Sequence, residues 1–248
     1  MRLMQLFVVV LAAGQLMSAL PNTACSNATL QGGYGFVLTG VNSGSTLAAV
    51  VGRITADGNG GLTGSETISN DGVISSNVAL TGTYSIKSTC TGTAKISPSG
   101  FPTAKYNLTI VSTAKQIEMV DTDTGTTESG YAVAVGNTTC TTAGLKGTFG
   151  FQGGGFNSSL LPSAFAGQSK LDGAGNLTGT ETVSAGGTII SGAVTGTYTV
   201  NSDCTGSINF TFDGGVNTTN FVIVNGGQSG LQITTNSGGI STSTVAKQ

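Results

Sequence analysis

The sequence predicts an all-β protein built as two tandem, small, antiparallel eight-stranded up-and-down β-barrels. Three observations carry that prediction. The chain of 248 residues is written twice, each copy is a succession of short strand-like runs separated by glycine-rich turns, and neither copy holds a helical apolar period long enough to insert a crossover helix. Two β-sandwich domains are the alternative. Immunoglobulin-type sandwiches carry a buried Trp between two cysteines, and the chain has no Trp.

The duplication is read from motifs in fixed order. Cys25 with Gly33-Tyr34-Gly35-Phe36 recurs as Cys140 with Thr148-Phe149-Gly150-Phe151, 115 positions later. Asp57-Gly58-Asn59-Gly60-Gly61-Leu62-Thr63-Gly64-Ser65-Glu66-Thr67 returns at the same shift as Asp172-Gly173-Ala174-Gly175-Asn176-Leu177-Thr178-Gly179-Thr180-Glu181-Thr182. Thr81-Gly82-Thr83-Tyr84 and Cys90-Thr91-Gly92 return 114 later as Thr195-Gly196-Thr197-Tyr198 and Cys204-Thr205-Gly206. A unit of this length is a small domain and not a solenoid repeat. The divisions are 1–24 for an export signal, 25–136 for the first barrel and 137–248 for the second.

Within the first copy the strands follow one another. Gly33–Thr39 and Leu47–Ala56 come first, and Asp57-Gly58 then supplies residues that accept positive φ at a hairpin. Leu62–Ser69 alternates strictly, and Asn70-Asp71-Gly72 turns it into Ile74–Ile86. Gly92–Ser97, Lys105–Val111, Gln116–Asp121 and Ser129–Val135 complete eight, all rich in Val, Ile, Thr, Tyr and Phe. Connections of a few residues make neighbours antiparallel. Pairing the first strand with the last removes both sheet edges.

Composition excludes several functions. The absence of His removes imidazole catalysis and the common zinc sites. Nine basic against 11 acidic residues leave no basic stripe for nucleic acid. Arg2 and the apolar run from Leu6 to Ala13 read as a secretory signal too short to span a bilayer. No other run is long enough for a transmembrane helix, so the expected place is secreted, periplasmic or at the cell surface. A lipoprotein reading at Cys25 is disfavoured, because Asn22 stands where a Leu-like residue belongs. In an exported chain the economical cysteine pairing is Cys25–Cys90 and Cys140–Cys204, one of three connectivities.

The ordered motifs GxYGF or GTFGF, DGxGxLTGxET, TGTY and CTG resemble those of uncharacterised exported proteins of environmental bacteria, soil acidobacteria among them. The resemblance covers nearly all of the mature chain. It implies a calycin-like or allene-oxide-cyclase-like barrel and export. The motif residues are turn and strand-packing residues, and no activity comes with them.

Alternation singles out two carboxylates. Leu62, Gly64, Glu66 and Ile68 share one strand face, as do Leu177, Gly179, Glu181 and Val183, so Glu66 and Glu181 are expected to face the lumens. Tyr84 and Tyr198 lie on the apolar face of the next strand as candidate donors to them. Arg53 pairs with Glu66 only if its side chain also points inward, and Gln168 holds that place in the second copy. These six residues form the candidate ligand-binding set. The bland alternative is a buried polar network that pins register, because a barrel of this size can be filled by its own side chains.

Asp57-Gly58-Asn59-Gly60 lacks the further ligands of a calcium loop and reads as a turn. Glu118, Asp121, Asp123 and Glu128 read as a solvated hairpin tip. No metal, cofactor or catalytic residue is expected. The function indicated is a non-enzymatic exported protein binding a small apolar or amphipathic molecule in a barrel lumen, with contact between the two copies. A structural or adhesive surface module is the alternative, and a cyclase- or isomerase-like enzyme stands more distantly.

Overall fold

The computed structural model describes residues 24–42, 45–111 and 115–248. The expected signal peptide, apart from its last residue, lies outside the described residues. The first barrel comprises β1 (Gln31–Asn42), β2 (Thr46–Asp57), β3 (Gly61–Asn70), β4 (Val73–Ile86), β5 (Thr91–Pro98), β6 (Ala104–Val111), β7 (Gln116–Asp121) and β8 (Thr127–Ala134). The second comprises β9 (Lys146–Phe156), β10 (Pro162–Asp172), β11 (Asn176–Ala185), β12 (Thr188–Val200), β13 (Thr205–Phe212), β14 (Gly215–Val224), β15 (Ser229–Thr234) and β16 (Ile240–Lys247). Each is a closed antiparallel ring in chain order. Val37 on β1 lies opposite Tyr131 on β8, and Phe151 on β9 lies opposite Val245 on β16.

The turns are built by the residues that announce them. Asp57 Oδ1 accepts hydrogen bonds from the backbone N–H groups of Asn59, Gly60 and Gly61 at 2.7, 2.9 and 2.8 Å. Asp172 does the same for Ala174 and Asn176. The Asn176 side-chain amide, donating to Asp172 Oδ2 at 2.7 Å, and these backbone donors hold Asp172 below the usual range, and the backbone donors do the same for Asp57, as expected for a carboxylate stabilised by N–H groups. The two loops are therefore hairpin turns.

One end of each barrel is closed by the segment preceding its first strand. The hydroxyl of Tyr84 is directed at the carbonyls of Leu30 and Asn27, at 2.8 and 3.0 Å. That of Tyr198 is directed at the carbonyl of Leu145 at 2.6 Å and accepts from Gly173 N–H. The disulfides Cys25–Cys90 and Cys140–Cys204 pin the same segments to the β4–β5 and β12–β13 turns. Cys25 Sγ, consumed in this bond, has no valence left for a lipid thioether.

The barrels pack side by side through apolar outer faces. Val37, Ala49 and Val51 of the first meet Val222, Val224, Leu231, Ile233 and Ile240 of the second. β1, β2 and β14 are thus buried on both faces where they meet. Gly35 faces this seam, and a Cβ there would stand 2.6 Å from a methyl of Val224. Hydrogen bonds at the margin join Ser69 Oγ to the Gly239 carbonyl (2.7 Å) and the Gly238 N–H to the Gly72 carbonyl (2.8 Å).

Gly35→Ala should therefore destabilise the protein by about 1–3 kcal/mol through overpacking. Gly150→Ala, at the matching position of the second copy, should be nearly neutral, because a Cβ there meets only the Gln248 side chain at 3.4 Å. Urea denaturation of both variants checks the difference.

Candidate functional site

The period of two along β3 and β11 sends Glu66 and Glu181 into their lumens. Glu66 lies opposite Gly52, where a Cβ would collide with the Glu66 Cβ and with the ring of fully buried Phe36. A β-bulge follows at once. Thr67 faces two residues of β4, Ser76 and Asn77, between the pairs Glu66–Val78 and Ile68–Ser75. Both glutamates are buried, at 6% and 7% exposure.

The other four candidates are placed elsewhere. Tyr84 and Tyr198 spend their hydroxyls on the backbone at the closed ends and donate to neither glutamate. Arg53 lies one residue from Gly52 and so on the opposite face of β2, with its Nη1 bonded to Thr55 Oγ1 at 3.1 Å and its Nε buried without a partner. Gln168 occupies the outward face of β10 and is exposed. Alternation excludes a Glu66–Arg53 pair once register is fixed.

The lumens differ sharply although the rings match. In the first, the side chains of Phe36, Leu38, Ile54, Tyr106, Ile117 and Met119 belong to one continuous buried cluster. The second encloses a cavity of ≈ 530 Å³. Register shows how it arises. Leu108 lies opposite Gly92 and Phe221 opposite Gly206, which makes Tyr106 equivalent to Thr219. In the same way Met119 corresponds to Gln232, Ile117 to Gly230, Leu38 to Gly153 and Ile54 to Ser169. Phe165 and Phe210 replace Val50 and Ile96, and restore part of the volume as aromatic surface.

The cavity wall is divided by chemistry. Seven of the chain's ten phenylalanines line it, among them Phe149, Phe151, Phe165, Phe210, Phe212 and Phe221. Hydroxyl and amide side chains, including Thr219, Gln232, Thr234, Ser241 and Ser243, line the β14–β16 side. Ser243 Oγ donates to Gln232 Oε1 at 2.9 Å. Glu181 is the one titratable side chain on the wall among the described residues. It stands on β11, four strands around the eight-membered ring from β15, and so across the lumen from Gln232. The sequence reading missed this aromatic wall, although the alternate pairs Phe149/Phe151 and Phe210/Phe212 carried its signal.

Burial pushes Glu181 up to about 7 and Glu66 up to about 8, the latter with help from the negative charge of Glu128. Glu128, expected on a solvated tip, is instead buried in the first lumen and raised to about 7 by burial and by Asp121. Only the rest of that acidic group faces water: Asp123 pairs with Lys105 Nζ at 2.8 Å. Tyr106, beside these carboxyls, is raised by burial and by their charges. Among the described residues no group of three or more Cys, Asp or Glu side chains could hold a metal ion.

Compared with known proteins, the chain matches no family model and no curated protein. The class defined by fold and site is therefore structural. It is a disulfide-bonded tandem β-barrel protein with one filled and one hollow lumen.

The raised glutamates give a signed pH dependence. A carboxyl whose folded pKa lies above its unfolded value favours the folded state fully below about pH 4.5, and that stability is lost as pH rises to about 8 for Glu66. Glu66→Gln should thus stabilise the protein at pH 9 by roughly 3–5 kcal/mol and change little at pH 4. Denaturant midpoints across that range measure it, and a variant less stable at pH 9 contradicts the assignment.

Proposed function

We propose that the second barrel binds one small, uncharged, aromatic or amphipathic molecule in its lumen, while the first serves as its packed scaffold. The observation that carries this reading is the ≈ 530 Å³ cavity walled by seven phenylalanines, with most of its hydroxyl and amide groups gathered on β14–β16. Its volume lies within the usual range for small-molecule sites, and its few polar groups are of the kind that orient a ligand. A protonated Glu181 can donate to a ligand carbonyl or hydroxyl, with Gln232 engaging the molecule from across the lumen. Barrel 1 has the same fold and the same glutamate but carries Tyr106, Met119 and Ile117 where the hollow barrel has Thr219, Gln232 and Gly230. Export fits this reading too: disulfides belong to oxidising compartments, and among the described residues no helix is long and apolar enough to cross a membrane.

The resemblance of the motifs to those of calycin-like barrels points the same way at the level of architecture, since barrels of this kind hold small ligands. An isomerase-like activity has less support. The cavity wall offers Glu181 alone as a titratable group, without a second acid or base beside it.

Titration with the fluorescent neutral amine N-phenyl-1-naphthylamine tests the proposal. One probe should bind per chain, and the double variant Thr219→Tyr/Gln232→Met, which installs the residues of the filled barrel, should abolish binding without loss of thermal stability. Binding unchanged in that variant, or absent from the wild type, overturns the proposal.

A further inference from the structure

The rim of the hollow barrel has a chemistry of its own. In an up-and-down ring, alternate connections gather at one end, so the β9–β10, β11–β12, β13–β14 and β15–β16 turns surround one mouth. The cavity reaches this end, where Asn157, Ser158, Asn217, Asn236 and Ser237 contribute to its wall. The opposite end is sealed by Leu145, Tyr198 and their buried neighbours.

Four large apolar side chains stand exposed around the mouth: Leu160 and Leu161, Ile189 and Val216. The adjoining β3–β4 turn of the first barrel, held by the Gly238–Gly72 hydrogen bond, adds Val73. These five are between 47% and 70% exposed. Scattered apolar residues on a surface are ordinary, but here five of the six exposed large hydrophobics among the described residues gather at one end, Val120 being the sixth. Leu160 is presented from a left-handed backbone (φ 56°), a conformation that costs a leucine more than a glycine or asparagine. Asn157 fixes that turn by accepting from the N–H groups of Ser159 and Leu161, both at 3.0 Å.

Charge is distributed the other way. Lys146, Lys170, Asp172, Asp203 and Lys247 all lie at the closed end of the second barrel, and Glu181 is inside it. The mouth has one charged residue of its own, Asp213, with Asp71 on the neighbouring turn. A charged closed end and a nearly uncharged apolar mouth, aligned with an apolar cavity, orient the second barrel with its mouth towards a lipid surface.

We infer that the mouth end docks on a neutral or zwitterionic lipid bilayer, inserting Leu160, Leu161, Ile189 and Val216 into its outer layer and setting the cavity entrance against the acyl chains. This rests on the ligand reading above for its purpose but not for its test. Interfacial binding scales with buried apolar area, and the acidic rim gains nothing from anionic lipid.

Flotation of the full chain with phosphatidylcholine vesicles tests the inference. The wild type should co-float, and Leu160→Ser/Leu161→Ser/Ile189→Ser should lower the partition coefficient by roughly tenfold or more. None of these three lines the cavity, so binding of N-phenyl-1-naphthylamine in vesicle-free solution should stay within about twofold, which also shows the variant is folded. Wild type that stays below the gradient, floats only with anionic vesicles, or floats as well with serines in place overturns the docking inference. Flotation that meets expectation while the probe fails to bind wild type overturns the ligand reading alone.

Discussion

Closure of each meander on itself governs everything else in this chain. Pairing β1 with β8 and β9 with β16 leaves no free edge, and it commits every strand residue to the lumen or the outside with a period of two. A glutamate on β3 or β11 has no third place to go. Once Gly52 and Gly167 register opposite Glu66 and Glu181, both carboxyls are buried within the rings, and their raised pKa values follow. The same commitment sends Arg53 and Gln168 outward, whatever an acid inside would gain from a cation.

Given closure, the difference between the two copies is a matter of volume. The rings share their motifs, turns, end closures and disulfides. Tyr106, Met119 and Ile117 occupy the first lumen, whereas Thr219, Gln232 and Gly230 leave the second open. The exchanges fall on two adjacent strands, so the lost volume is contiguous and most of the hydroxyl and amide groups of the wall lie on that side. Duplication offers a physical route to such a pair. One copy keeps the packed core that stabilises both through the Val37–Val224 seam, which frees the other to tolerate a cavity that would cost a lone small barrel dearly.

Much of this was legible in the residues. The eight strands of the first copy, their antiparallel order and both disulfides follow from the repeat, the alternation and the turn glycines. Glu66 and Glu181 stand out for the same reason. Arg53 was ambiguous because Leu47–Ala56 is apolar at nearly every position, and a strand covered on both faces gives no alternation to read. That run and Phe221-Val222-Ile223-Val224 were in fact the two sides of the contact between barrels. Glu128 was misread from its neighbours: sequence proximity to Asp121 and Asp123 suggested a solvated tip, while its place on β8, two residues before Gly130 and four before fully buried Ala132, puts it on the lumen face. The cavity was the least legible feature, since it depends on summing side-chain volumes around a ring whose register was not yet known.

Which lumen is empty decides the division of labour between the two barrels. Crystals of the non-reduced protein soaked in bromobenzene would locate an apolar guest by the anomalous signal of bromine. The expected result is a single site in the second barrel among Phe151, Phe165 and Phe210, with none in the first. Bromine in the first lumen, or none in the second, would contradict the division of labour between a packed barrel and a binding one.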